Sequence, residues 1–393
     1  MGRKVPLMKQ IYLDHAATSV LHPQALEAMM PYFSTVFGNP SSIHQFGRQA
    51  KQALVEARES IASLLSAKGN EVLFTSGGTE ANNLALIGFA RANRKKGTHI
   101  ITSEIEHHAV LHTLEVLEKE GFSITKLPVN ESGQISLTQL KNALTDETIL
   151  VSIMFANNEV GTVQPIKEIG ELLKGHQAAL HSDAVQAAGL YELNTDELAV
   201  DLLTIASHKL NGPKGIGCLF VREGIELEPL LHGGEQERKR RAGTENVAGA
   251  VGFAYAFNQA YAEREQRRQN YKLYRTMFFE TMERRGVTVL ENGECGERLD
   301  HILNVCFPGA STEPLLMKLD LLGIAASGGS ACTAGTLQPS HVIQALYGKD
   351  SHRVKEAIRF SFGITNSKEE LAYAFEQIAD CVLSEQGKKA FIE

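Results

Sequence analysis

The sequence predicts an α/β fold with a mostly parallel sheet, and three observations carry that expectation. From about residue 45 to 225, short apolar strand-like runs alternate with amphipathic helical stretches. At 393 residues the chain is too long for one simple core, so two domains are expected. Its 43% hydrophobic and 22% charged residues are the proportions of an ordinary soluble globular enzyme.

Taken in order, the strand-like runs are Glu71-Val72-Leu73-Phe74, His99-Ile100-Ile101-Thr102, Ser123-Ile124-Thr125-Lys126-Leu127, Leu150-Val151-Ser152-Ile153-Met154, Ala179-Leu180-His181-Ser182 and Leu202-Leu203-Thr204-Ile205. Helical patterns such as Gly47 to Leu65 and Val110 to Glu120 lie between them, which places helices on both faces of the sheet. A long charged helical stretch, roughly Glu245 to Arg285, leads to a second α/β block running to the C-terminus. Ligands of such sheets bind beyond the carboxyl ends of the strands, so the residues just after each strand come first.

Charge and composition exclude several classes. A net charge of −7 argues against broad binding to DNA or to anionic membranes. No apolar stretch approaches a membrane span, and Met1-Gly2-Arg3-Lys4-Val5-Pro6 is not followed by a signal-type run, so the cytoplasm is the expected home. The five cysteines contain no Cys-x-x-Cys pair, which fits neither a disulfide framework nor a zinc site, and no metal is expected. Cys218 and Cys306 read as strand residues, Cys381 as helical and Cys295 as part of a polar turn.

Cys332 differs from these four. It sits in Ala325-Ala326-Ser327-Gly328-Gly329-Ser330-Ala331-Cys332-Thr333-Ala334-Gly335-Thr336, which has too little side-chain bulk to bury much apolar surface. A cysteine on such a tether reads as a nucleophile that must travel; a small buried hydrophobe is the plain alternative.

Four post-strand positions add chemistry. Thr75-Ser76-Gly77-Gly78-Thr79-Glu80 opens a helix with small residues, as a phosphate site does, although an ordinary capped turn would look the same. Asp183 follows a central strand, where a carboxylate needs a partner or caps a helix. Lys209, in Ala206-Ser207-His208-Lys209, can be desolvated into a nucleophilic amine or can remain a solvated strand-end lysine. His107 or His108 can stack on a planar ring or shuttle protons, or simply open the next helix. Together a phosphate cradle, an Asp, a Lys and a stacking His specify pyridoxal 5'-phosphate.

The segments Tyr12-Leu13-Asp14-His15-Ala16-Ala17-Thr18, Phe37-Gly38-Asn39-Pro40-Ser41-Ser42, Phe74 to Asn83, Glu106-His107-His108-Ala109-Val110, Asn157-Asn158-Glu159-Val160-Gly161, Ser207-His208-Lys209, Arg241-Ala242-Gly243-Thr244-Glu245-Asn246 and Ser330-Ala331-Cys332-Thr333 closely resemble the NifS/IscS cysteine desulfurases. The match covers essentially the whole chain in order and spacing. It implies a fold-type I pyridoxal-phosphate enzyme with a seven-stranded sheet in a large domain, residues 16–259. A smaller α/β domain, 1–15 with 260–393, would carry the Cys332 loop. The resemblance further implies a homodimer with sites near the subunit interface.

By the same resemblance Lys209 binds the cofactor aldehyde, Asp183 pairs with the pyridine nitrogen, Gln186 contacts the ring hydroxyl, and His107 stacks on the ring and takes part in proton transfer. Gly78, Thr79, Ser207 and His208 would hold the phosphate, with Thr244 contributed by the other subunit. Arg359, in Ala357-Ile358-Arg359-Phe360-Ser361, would bind the substrate carboxylate through its planar fork, with Asn158 and Asn39 as further contacts. The implied reaction converts L-cysteine to L-alanine and leaves a persulfide on Cys332. An acceptor protein, either an iron–sulfur scaffold or a tRNA thiolase, would take the sulfur onward. By the same resemblance, the short segment after Arg359 lacks the extension that longer relatives use for scaffold docking, which puts that docking in doubt and leaves room for a dedicated acceptor such as a tRNA-thiolating enzyme. In the run Arg238-Lys239-Arg240-Arg241, Arg238 to Arg240 read as a solvated face, with a docking patch for an acidic acceptor protein or a tRNA-modifying partner as the sharper alternative. A selenocysteine lyase, an aminotransferase-like enzyme and a catalytically silent sulfur-relay subunit are the rival readings, and joint use of Lys209 and Cys332 separates the first reading from the last.

Overall fold

The computed structural model describes residues 10–294, 296–328 and 339–389, so Cys295 and Cys332 lie outside the described residues. The strands in chain order are β1 (Ile11–Tyr12), β2 (Val72–Thr75), β3 (His99–Ser103), β4 (Ser123–Leu127), β5 (Thr148–Ser152), β6 (Ala179–Asp183), β7 (Leu202–Ala206), β8 (Gly217–Val221), β9 (Leu290–Glu291), β10 (Ile302–Cys306), β11 (Ile324–Ala325) and β12 (Ala357–Ser361). Seven of them form one sheet in the order β2-β8-β7-β6-β5-β3-β4. β8 is antiparallel to both of its neighbours and the other pairings are parallel, so every strand but β8 points the same way. β3, β5, β6, β7 and β8 are buried at every position. A strand covered on both faces buries apolar residues on each of them, which is why most of these runs show no strict apolar–polar alternation.

The flanking helices follow from their spacing. Gln45–Leu64 buries Ala50, Ala53, Leu54, Ala57 and Ile61, one face of a 3.6-residue period, and His44 Nδ1 accepts the Gly47 N–H at its start. The expected charged helix from Glu245 to Arg285 is instead two helices, Val247–Ala262 and Arg264–Arg284. The first is an apolar rod whose Ala250, Phe253, Ala254, Ala256 and Phe257 belong to the core around the large sheet. Only the second is charged, and its Tyr271, Tyr274, Phe278 and Met282 stripe enters a separate core with Phe360, Phe362 and Phe375. The sequence change at Glu263 is therefore a change of partner, and one continuous helix could not have served both cores.

That second core backs a small antiparallel sheet in the order β12-β10-β9. β1 pairs in parallel with β11, and the chain then crosses to the large sheet: Ala16 N–H donates to Ser361 Oγ at 2.8 Å while the Ala16 side chain joins the first core.

The basic run is not one uniform solvated face. Arg238 and Lys239 are exposed, as expected, whereas Arg240 is half-buried, and the neighbouring Arg241 pairs with Glu80 at 2.8 Å. Glu237 just before the run is buried, takes a two-pronged bond from Arg58 at 2.6 Å and 2.6 Å, and accepts the Phe74 N–H at 3.2 Å. Glu237, Arg238 and Lys239 all have positive φ (45°, 58° and 67°), a strained turn that this buried anchor holds down. Glu237→Ala is expected to destabilise the protein by about 3–5 kcal/mol, since it strands a mostly buried guanidinium. A denaturant midpoint unchanged from wild type would refute that role for Glu237.

Candidate active site

The carboxyl ends of β2, β3, β6 and β7 meet at one edge of the large sheet and open into a cleft of about 280 Å³. Gly78, Thr79, His107, Asn158, Asp183, Gln186, His208, Lys209 and Arg359 all line it, so nine of the residues singled out in the sequence are brought together. Gly78, Thr79 and His208 also border a more open hollow of about 350 Å³ next to it. Ser207 is buried behind the lining. Asn39 and Thr244 are exposed and stand outside the cleft of the single chain. Cys332 lies outside the described residues.

Lys209 ends the single 3₁₀ turn Ser207–Lys209 that follows β7 directly. Its Nζ donates to the Ala17 carbonyl at 2.8 Å and also to the Ala16 carbonyl. Gln186 Nε2 donates to the same Ala16 carbonyl at 3.0 Å. The segment that links the two cores thus supports both residues from beneath.

Asp183 is the last residue of β6, and it caps no helix, since a turn follows it. Asn82 Nδ2 donates to its Oδ2 at 2.7 Å, and the Val185 N–H donates to its Oδ1 at 3.0 Å. A carboxylate has about four lone-pair sites, so each oxygen retains capacity toward the cleft. Sequence reading missed Asn82, and the only local signal was a polar residue on the buried face of the helical run from Gly78.

His107 caps the helix His108–Lys119, its Nδ1 accepting the Ala109 N–H at 3.0 Å. An accepting Nδ1 leaves the proton of the neutral ring on Nε2. Burial and then the Lys209 charge hold His107 below the usual imidazole range, against the pull of Asp183. Beside it Glu106 is buried, accepts bonds from Ser103 Oγ and the Met154 N–H, and is pushed up to about 8 by desolvation. His341 lines the cleft too, with its Nε2 at 3.0 Å from the Glu106 carbonyl. Neither Glu106 nor His341 carried an assigned role in the sequence.

At the helix start, a Cβ on Gly78 would come to 3.0 Å from Val185 Cγ2, so a larger residue there would need that methyl to give by a few tenths of an ångström. Asn82 Oδ1 and Ser207 Oγ are buried without a hydrogen-bond partner among the described residues. His208 is lowered to about 4 by burial and the neighbouring lysines, and its Nδ1 lies 3.2 Å from Thr18 Oγ1. Across the cleft Arg359, on β12, donates to Asp14 Oδ1 at 2.7 Å and to the Asn158 carbonyl at 2.9 Å. Asp14 is 345 residues away in sequence, a pairing that only the crossing of the chain after β1 explains.

The buried cysteines are poor candidates for the same chemistry. Burial pushes the thiols of Cys218 and Cys306 up to about 12, far from the thiolate that a nucleophile must present.

Comparison with known proteins gives one consistent result. The model of the aminotransferase class-V family matches residues 11–373. The Bacillus subtilis (strain 168) protein IscS 1 is 52% identical over 375 residues, covering 95% of this chain and 99% of that one. Cysteine desulfurase IscS of Clostridium botulinum (strain Hall) is 46% identical over 370 residues, covering 94% and 93%. Among solved structures, a NifS-like protein superposes with a TM-score of 0.89 at 34% identity, covering 96% of this chain and all of that one. SspA in complex with cysteine superposes with a TM-score of 0.79 at 35% identity, covering 90% and 99%.

Proposed function

Because the chain belongs to the class-V aminotransferase family and is 46% identical to a member named cysteine desulfurase, we propose that it is a cysteine desulfurase that moves sulfur from L-cysteine to its own Cys332. The observation that carries this reading is the meeting of Lys209, Asp183, His107 and Arg359 in one cleft. Among the described residues no helix is long and apolar enough to cross a membrane.

The lining fits pyridoxal 5'-phosphate. Asp183 offers a buried carboxylate with free acceptor capacity, Ser207 Oγ is buried without a partner, and the glycine at 78 leaves room beside a helix start. Lys209 would hold the aldehyde, Asp183 the pyridine nitrogen, Gln186 the ring hydroxyl and His107 the ring face. Gly78, Thr79, Ser207 and His208 would hold the phosphate together with Thr244 of the partner subunit. When bound, the cofactor would supply an electron sink for a carbanion at the substrate α-carbon.

The chain's own residues do the rest. Arg359, oriented by Asp14 and the Asn158 carbonyl, binds the substrate carboxylate, with the Asn158 side chain beside it. Lys209 Nζ takes the α-proton of the substrate, and His107 Nε2 holds or returns a proton within the same cleft. Cys332, as thiolate, attacks the substrate sulfur; the Cβ–S bond breaks, a persulfide remains on Cys332 and L-alanine leaves. An acceptor protein for iron–sulfur assembly or tRNA thiolation then takes the persulfide sulfur.

Two further parts of the reading have support. The separate cores around the two sheets support a division into a large unit, 16–259, and a small one, 1–15 with 260–393. The exposed apolar group Met30, Phe33, Phe37, Ile43 and Phe46 supports self-association, which would bring Asn39 and Thr244 of each copy toward the partner's cleft.

The direct test is the mass of the Cys332 peptide after brief exposure to L-cysteine, with alanine assayed alongside. A gain of one sulfur with alanine formed is expected; alanine without that gain would overturn the persulfide route. Arg359→Lys is expected to raise KM for cysteine by about 10- to 100-fold, the worth of one charge-assisted hydrogen bond. An unchanged KM would remove Arg359 from substrate binding.

A further inference from the structure

Cys306, His352 and Glu356 stand outside the cleft lining, and the β10–β12 register brings them together. Cys306 ends β10 and pairs with Ala357, the first residue of β12. Glu356, one residue earlier, therefore lies beside the thiol, with Cys306 Sγ 3.8 Å from Glu356 Oε2. His352 stands four residues before Glu356 and already has helical backbone angles (φ −57°, ψ −28°) at the head of the turn Arg353–Glu356. Residues four apart share a helix face, so the imidazole and the carboxylate look toward the same point. One donor atom from each of the three residues lies within 4.8 Å of the other two.

We propose that Cys306, His352 and Glu356 bind one divalent transition-metal ion of the zinc class, with water completing a tetrahedron. Donors on such an ion are about 3.5 Å apart, so closure needs side-chain movements of about an ångström. A thiolate and a carboxylate neutralise a dication, which leaves no net charge at the buried end of the site. The thiol proton leaves to solvent as the ion enters. The sulfur donor selects against calcium and magnesium, which take oxygen ligands. Two features prepare the site. The Gly309 N–H donates to Glu356 Oε1 at 3.1 Å, which orients the carboxylate, and Oε2 faces the thiol. The nearby Arg353 is turned elsewhere, donating to the Glu291 carbonyl and Asn292 Oδ1 at 2.8 Å each and lying over the Tyr347 ring. Cys306 is buried, Glu356 half-buried and His352 exposed, so the ion has an entry path from solvent.

The test is titration of the full-length protein with Co²⁺. The expected result is one sulfur-to-cobalt charge-transfer band per chain in the near ultraviolet, displaced by Zn²⁺. Cys306→Ser should abolish the band and Cys332→Ser should leave it intact. His352→Ala changes only an exposed side chain, so it separates ligation from misfolding, and it should weaken cobalt binding at least about tenfold. Absence of the band, its survival in Cys306→Ser, its loss in Cys332→Ser, or wild-type cobalt affinity in His352→Ala would each overturn the site.

Discussion

Lys209→Ala is expected to lose alanine formation by about 10³-fold or more and to lose the visible absorbance of bound cofactor at the same time. Lys209 is the only lysine among the described residues lining the cleft. Its amine is fixed by the Ala16 and Ala17 carbonyls, so no other described amine is positioned to take its place. Lys209→Arg fills similar space and keeps the charge, yet it should restore no turnover, because a guanidinium stays protonated at any working pH. The cleft itself should survive, since Asp183 and Gln186 hold their positions through Asn82, Val185 and Ala16 rather than through Lys209. Turnover in Lys209→Ala within tenfold of wild type would remove this residue from the chemistry.

The second large effect separates two halves of one reaction. Cys332→Ala should keep the cofactor absorbance and should still exchange the α-proton of bound cysteine with deuterium from solvent, because both depend on Lys209. Sulfide and alanine production should fall to background, because the proposed nucleophile for the substrate sulfur would be gone. Loss of both exchange and turnover would mean that Cys332 supports the cleft rather than receiving sulfur. Retained alanine production would leave a lyase that needs no enzyme-bound sulfur.

What the sequence made legible was whatever depends on local pattern. The strand-like runs agree with β2 through β7 to within a residue or two; all of these strands but the half-exposed edge strand β4 are buried along their length and read as largely apolar runs. The post-strand positions of Asp183, Lys209 and the glycines at 77 and 78 were legible for the same reason. Long-range pairings were not. Asp14 with Arg359, Asn82 with Asp183 and Arg58 with Glu237 each join residues at least 101 apart, and nothing in a local window encodes a partner at that distance. The break at Glu263 was missed because a charged helix and an apolar one share the same period, and only their different partners tell them apart. Cys306 read as a strand cysteine, which it is, but its neighbours His352 and Glu356 appear only once the β10–β12 register is known.

The crossing of the chain after β1 has a consequence for the order of synthesis. On the ribosome the seven-stranded sheet can assemble once residue 221 has emerged, since all of its strands lie between Val72 and Val221. The segment beneath Lys209 must wait, because β1 has no partner until Ile324 and Ala325 exist, and Ala16 has none at Ser361 until that residue is made. Contacts so distant in sequence close slowly and late. A nascent chain therefore carries the lysine and its carboxylate long before it can seat them, and sulfur chemistry is deferred until synthesis is nearly finished.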